Sequence, residues 1–359
     1  MNDADARPLR ELLARNLAAA GHGEQWTRAV AQVPRHLFVP TFYEQDGTGR
    51  WSEVTTATPG YRENVYANRA LTTQIKDNEP TSSSSEPGLM LSMLDALGAQ
   101  AGQRVLEIGT GTGYNAALLS HVLGDANVTT VDVDPELTGD AARRLADAGY
   151  RPSVHTGDGA RGVPSHAPFD RIIATCGMQS VPAAWVQQAA DGAVMVVPVG
   201  WGLARITIDG GNATGRFLPQ SAYFMARRTS RVRPRFDELE KEQPTVSDIS
   251  AQETLTRLEF PLALALPGYR TCTWAGDDGG TASVGIWTPD GSAATAGRDG
   301  SVRQTGPRRL WDVVEQLSRQ FETEPQREDF GLTITPERQW AWWKTDETGW
   351  DLPAVHFAE

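Results

Sequence analysis

Between Gln103 and Gly200 short runs rich in valine and isoleucine alternate with stretches of helical periodicity, and few folds accept such a pattern. The runs cover 104–109, 127–134, 153–158, 171–176 and 193–200, and the helical patterns fall near 114–123, 136–148 and 181–190. This alternation predicts an α/β fold, a parallel sheet with helices on both faces. Near-continuous apolar residues in the runs fit strands buried on both sides. RITIDGGNATGRFLP, 205–219, reads as an antiparallel hairpin added to the sheet.

Upstream, PLRELLARNLAAA (8–20) carries apolar residues at helical spacing and is stopped by Gly21; a second helix runs from about Glu24 to Val33, before Pro34. PRHLFVP follows, and then a polar stretch to Tyr66 without assignable periodicity. His36 in PRHLFVP reads as a packed residue before a base. Residues 76–88, KDNEPTSSSSEPG, are rich in turn formers and predict a loop, and 89–98 a helix closed by Gly98.

Length and charge narrow the class. A chain of 359 residues predicts two or three compact units. No run approaches the roughly 18–20 apolar residues of a membrane span, and the charged N-terminus lacks a signal-peptide core, so a cytoplasmic protein without membrane contact is expected. A net charge of −12 argues against a nucleic-acid-binding surface. Cys176 and Cys272 are far apart with no CxxC partner, so neither a metal cluster nor a disulfide framework is expected. Cys176 reads as core.

The most specific signal is VLEIGTGTGY, 105–114, in which a strand ends in Glu107 and runs into Gly109, Gly111 and Gly113. Glycines permit positive φ and remove side chains where a ligand must touch backbone. A dinucleotide loop is the rival, but its spacing is GxGxxG, and here the third glycine comes one residue early. Glu107 would repel a pyrophosphate and attract the ammonium of a methionine moiety. Asp132 ends the next strand, where a carboxylate accepts from ribose hydroxyls; Asp134, two residues on, is an alternative. Asp158 and Gly159 follow the third strand, placing an acceptor for an adenine amino group. The competing reading is that these acids only cap the next helices.

VLEIGTGTGYNAALL, TTVDVDPEL, HTGDGARG, PFDRIIAT and VMVVPVG, in that order, resemble the protein-L-isoaspartate O-methyltransferase family; PRHLFVP and YANRAL are similar to its N-terminal segment. The resemblance covers about 8–225. It implies a class I S-adenosylmethionine-dependent methyltransferase with a Rossmann-like sheet, an N-terminal helical lid and S-adenosyl-L-methionine as cofactor, held by Glu107, Gly109, Gly111, Gly113, Asp132, Asp158 and Gly159, with Ser84 beside them. The family's catalytic serine stands in a Thr-Ile-Ser-x-Pro stretch. Ser85-Glu86-Pro87 matches Ser-x-Pro, so the role carries over to Ser85. Ser84 takes the Ile position, and TTQIKDNEPT replaces the usual glycine-rich run.

The implied organisation is a lid and acceptor-side segment (1–88), a methyltransferase core (89–225), a charged linker (226–250) and a separate α+β unit (251–359). The last hundred residues hold seven of the eleven tryptophans. They are candidates for peptide contact, although aromatics at strand spacing are usually core. Arg227, Arg228, Arg231, Arg233 and Arg235 form a basic cluster, suited to an acidic substrate or leader peptide or to a solvated linker. This tail and the tetraserine stretch resemble the long members found with ribosomally made peptide natural products, lanthipeptides and graspetides, including FxLD-system methyltransferases.

The chemistry asks little of the protein. A sulfonium activates the methyl group, and a carboxylate with a pKa near 4 is already ionised. What remains is alignment, which a serine hydroxyl provides by donating to one carboxylate oxygen while the other attacks. Three functions compete: methylation of an aspartyl carboxylate on a modified precursor peptide, leading to succinimide (aspartimide) or isoaspartate; housekeeping repair of isoaspartyl proteins; and a silent peptide-binding module that kept the fold.

Overall fold

The computed structural model describes residues 3–226, 236–277, 279–347 and 349–355. Its centre is a mixed ten-stranded sheet. Val105–Ile108 lies inside it, paired in parallel with Val128–Asp132 on one side and Phe169–Ala174 on the other. Ser153–Thr156 closes the first side, and Ala189–Val199 continues the second. The chain therefore winds outward from Val105–Ile108, returns, and winds out again the other way. At such a switch point the loops diverge and leave a crevice at the carboxyl ends of the strands, where open α/β sheets bind ligands. Leu106, Ile108, Val131, Ile172 and Met195 are buried in the core, and each such side chain removes about 1.5–3 kcal/mol of apolar exposure. Gly202–Asp209 and Asn212–Ser221 form the expected hairpin, antiparallel to Ala189–Val199.

The N-terminal segment holds more strand than its sequence pattern indicates. Helix Glu24–Gln32 occupies its expected position, while the first helix, expected from Pro8, begins earlier and runs Asp3–Ala19 with Pro8 inside it. The stretch without periodicity contains strands Thr41–Gln45 and Trp51–Thr55 and the short helix Tyr61–Val65. Of residues 76–88, expected as a loop, only the turn 77–78 and the pair 85–86 lie outside strand and helix. Leu71–Lys76 and Glu79–Ser84 are antiparallel strands of a four-stranded sheet. Their turn is Asp77-Asn78, with φ of 52° and 62°, the left-handed pair that matches strand twist in a two-residue hairpin. Turn formers marked the turn correctly, while Thr81 to Ser84 extended because they pair with 71–74.

The C-terminal third is not set apart from the core. Arg270–Ala275, Thr281–Trp287, Ala293–Gly297, Ser301–Thr305 and Thr245–Val246 form a five-stranded antiparallel sheet, covered by helix Leu310–Gln320, whose Trp311, Val314 and Leu317 are buried. Phe330–Ile334 then pairs with Asn212–Ser221, and Gln339–Trp343 and Gly349–Asp351 follow it, extending the central sheet. One apolar cluster joins Met195, Val197 and Phe217 to Leu262, Ile286, Trp311 and Phe330. The described part of the supposed linker is packed as well: the Phe236 ring meets Trp274 and Trp287 edge-on, and Leu239 is buried. The arginine cluster at 227–235 lies outside the described residues. Among the described residues no helix is long and apolar enough to cross a membrane.

Candidate active site

A cavity of about 1090 Å³ opens at the switch point. This is room for a nucleoside joined to an amino acid, with space left for a peptide side chain. All nine residues singled out in the sequence, Ser84, Ser85, Glu107, Gly109, Gly111, Asp132, Asp158, Gly159 and Gly113, fall in or directly beneath it: eight line it, and Gly113 starts the helix Tyr114–Leu123 behind the loop. Gly109 has φ of +100°, and a Cβ there would sit 2.6 Å from Thr175 Oγ1. Gly111 has φ of +51°, and its amide donates to Asp132 Oδ2 at 3.0 Å. A side chain at Gly159 would strike Ile108 Cγ2 at 2.6 Å. The loop is thus fixed in shape from both sides.

The acids divide by environment. Glu107 is wholly buried; Asn115 Nδ2 and Thr130 Oγ1 donate to its two oxygens, each at 2.7 Å. Thr130 stands opposite Glu107 in the strand pairing, and since its hydroxyl donates to Glu107 it accepts from Thr110, 2.8 Å away. Burial pushes the Glu107 carboxyl up to about 7, against the pull of those two hydrogen bonds, and Asp132 adds to the rise. A cationic ligand group beside Glu107 would reverse this. Asp132 takes the amides of Gly111 and Asp134 and keeps acceptor capacity towards the cavity. Asp134 caps helix Pro135–Asp147 through the Glu136 amide and meets Lys76 Nζ at 2.8 Å. Its carboxylate is committed there, which favours Asp132 over Asp134 for a ribose. Asp158 lines the cavity and also caps the turn Gly159–Arg161, so capping and ligand-facing positions coexist in one residue.

Opposite the glycine loop stands the serine strand. Ser82 and Ser84 are buried, Ser83 and Ser85 half-buried, and all four line the cavity, although the Ser84 hydroxyl accepts from Arg35. Pro87 begins helix Pro87–Leu97; a proline in the first turn suits a helix start and keeps the preceding residues extended. Ser85 is therefore held where strand passes to helix, and among the described residues no hydrogen bond engages its hydroxyl. Beside it Asn68 Oδ1 accepts from the Gly88 amide at 2.7 Å, and Asn68 Nδ2 donates to Glu86. Gln220, Ser221 and Phe224 form the far wall.

Several functional neighbours were not visible as such in the sequence. Asn115, Thr130 and Asn68 carry no spacing cue; Asn115 follows the last glycine of the loop by two, which is the one local hint. Cys176, expected in the core, is half-buried on the cavity wall with Met178 Sδ 3.9 Å away. His36 is buried with Nδ1 2.7 Å from the Tyr66 hydroxyl and does not line the cavity, in keeping with a packed residue. None of the tail tryptophans lines it either; Trp311 bonds Ser247, and Trp343 and Trp350 pack on Phe321 and Phe330.

Comparison with known proteins agrees with this geometry. Residues 52–208 match the family described as protein-L-isoaspartate(D-aspartate) O-methyltransferase. A protein-L-isoaspartate O-methyltransferase of Gloeobacter violaceus is 38% identical over 173 residues, 48% of this chain and 72% of that protein. One from Azorhizobium caulinodans is 37% identical over 204 residues, 54% of this chain and 82% of that protein. A solved protein-L-isoaspartate O-methyltransferase superposes with a TM-score of 0.58 at 21% identity, covering 94% of this chain and all of that one. That likeness is one of fold, and it includes most of the C-terminal third.

Proposed function

Since this chain belongs to the protein-L-isoaspartate O-methyltransferase family, a family of S-adenosylmethionine-dependent enzymes, we propose that it methylates an aspartyl or isoaspartyl carboxylate within a modified ribosomal precursor peptide. The observation that carries the reading is Ser85, half-buried in the lining of the cavity that also holds the acid-glycine loop, with no hydrogen bond to its hydroxyl among the described residues. Bound S-adenosylmethionine supplies a methyl group already activated by its sulfonium. Glu107 would hold the donor's ammonium, Asp132 would accept from its ribose, and Asp158 and Gly159 would border its base. Ser85 donates to one oxygen of the acceptor carboxylate and leaves the other to attack, so no residue has to remove a proton. The acceptor gains a methyl ester. The following backbone nitrogen then attacks the ester carbonyl, methanol leaves, and a succinimide forms.

The precursor-peptide substrate is supported by the departure at the serine strand, where a hairpin with Ser84 replaces the glycine-rich run and the Ile of the family stretch. Repair of isoaspartyl proteins is the second reading, favoured by the fold likeness that spans the C-terminal third. A tail of this kind therefore does not by itself argue against repair. The test is mass spectrometry of acceptor peptides incubated with the enzyme and S-adenosylmethionine. A methyl gain or loss of one water on a modified aspartyl peptide, with an isoaspartyl peptide left untouched, supports the first reading. Methylation of the isoaspartyl peptide alone replaces it with repair, and no turnover on either refutes both.

A further inference from the structure

Arg35 is the most deeply buried charge in the N-terminal segment, with 0% of its surface exposed. Its guanidinium donates to six oxygens: Val65 O at 2.9 Å, Ala67 O at 3.2 Å, Arg69 O at 3.1 Å, Ser84 O at 3.2 Å, Ser84 Oγ at 3.2 Å and Ser85 O at 3.0 Å. Each acceptor is neutral. Burial lowers the group to about 10, so it stays charged at neutral pH. Desolvating a cation without a carboxylate is costly, and an apolar side chain of similar volume commonly packs as well or better. Stability alone is thus a poor reason for an arginine here.

Its partners supply a better one. They fall in two strips, 65–69 and 84–85, and Asn68, Ser84 and Ser85 from those strips line the cavity. The planar fork, with five donors in fixed directions, reaches both strips at once, which a lysine cannot do. The Tyr114 ring, also on the cavity wall, lies 5.8 Å from the guanidinium carbon.

We propose that Arg35 is a positioning residue for methyl transfer, clamping the Ser84–Ser85 backbone to the Asn68 segment so that the Ser85 hydroxyl is aimed at the acceptor carboxylate. This rests on the reading of Ser85 given above. Arg35 touches neither donor nor acceptor; it acts through the two strips.

The test uses full-length Arg35→Ala and Arg35→Lys, with S-adenosylhomocysteine binding by calorimetry and turnover on short isoaspartyl and aspartyl peptides. Arg35→Ala should keep ligand affinity within about twofold while kcat falls about 10- to 100-fold, the cost of a misaligned reacting group. Added guanidinium should restore part of kcat and urea none, and Arg35→Lys should fall between. Wild-type kcat in a folded Arg35→Ala enzyme overturns the proposal. So does a matching loss of ligand affinity, or failure of both variants to fold, since either assigns Arg35 to the fold alone. If the wild-type enzyme methylates neither peptide, the functional reading fails separately. Hydrogen exchange then decides: faster exchange at 83–86 with 105–113 unchanged in Arg35→Lys sustains the clamp, and equal exchange removes it.

Discussion

Glu107 and Ser85 are the two side chains on which the proposed chemistry turns, and they make different predictions. The Glu107 carboxyl is raised from 4.5 to about 7 by burial, so between those values the folded state binds more protons than the unfolded one. Stability of the ligand-free protein therefore falls as pH rises from about 4.5 to about 7, and the penalty is complete above 7. Glu107→Gln should melt a few degrees higher than wild type at pH 8, match it at pH 4, and bind S-adenosylmethionine more weakly, as read by scanning calorimetry and titration. Because only the ionised form attracts the donor's ammonium, kcat/KM for the donor should rise through about pH 7 while kcat stays flat; a kcat that titrates near 7 would point to a general base. Ser85→Ala should leave donor affinity nearly unchanged and lower turnover by about 10- to 1,000-fold, on the order of 1.4–4 kcal/mol of orientation and hydrogen bonding. Wild-type turnover in that variant would transfer the role to Ser84 or another group. That Glu107 and Ser85 line one cavity was legible in the sequence, because each stands inside a short local motif. Thr130 and Arg35 were not, because their meaning depends on partners 23 and 49 residues away.

The hairpin 71–84 shows the same limit in an element. A composition of Ser, Thr, Pro and Glu reads as loop when each residue is weighed alone. Pairing with Leu71–Lys76 and the left-handed Asp77-Asn78 turn make it strand. Its inner face is the wall that closes over the glycine loop, and its tip is tied down where Lys76 reaches Asp134 Oδ2 at 2.8 Å and Gln74 Nε2 reaches the same atom at 3.3 Å. Lys76 is 45% exposed at the side chain and Asp134 only 3%, so the pair is screened from one side and its worth is modest. Lys76→Met should hardly change the melting temperature. It should speed S-adenosylhomocysteine release by about 3- to 10-fold, since changes of this kind act mainly on dissociation. Stopped-flow displacement measures it, and an unchanged off-rate would mean that strand pairing alone holds the wall. The inner parallel strands, by contrast, were readable because apolar runs and burial coincide there; the edge strand Ser153–Thr156 has no buried residue, and the helix expected over 181–190 gives way to strand at Ala189.

At the scale of the whole molecule the tail is the feature that sequence treats worst. Its short strands and tryptophans suggest an independent unit, and nothing local says that Phe330–Ile334 pairs with Asn212–Ser221, more than a hundred residues earlier. If the tail were independent, a chain ending near Thr245 would keep the cofactor and lose only peptide modification. The structure predicts otherwise. Such a chain loses Phe330–Ile334, Gln339–Trp343 and Gly349–Asp351, leaving Asn212–Ser221 as a bare sheet edge, a template for association with other chains. It also strips the cover from Phe217, which packs edge-on against Phe260 with ring centres 4.9 Å apart, and removes Leu258, Leu262, Trp311 and Phe330 from the shared core. At about 1.5–3 kcal/mol for each large side chain, a handful of these contacts equals the roughly 5–15 kcal/mol that holds an ordinary domain together. The truncated protein should aggregate, or stay soluble only as a species without a cooperative melt, and should not bind S-adenosylhomocysteine. Expression followed by size-exclusion chromatography and calorimetry decides the matter, and a monodisperse chain ending at Thr245 with wild-type ligand affinity would show that the central sheet stands without its last three strands.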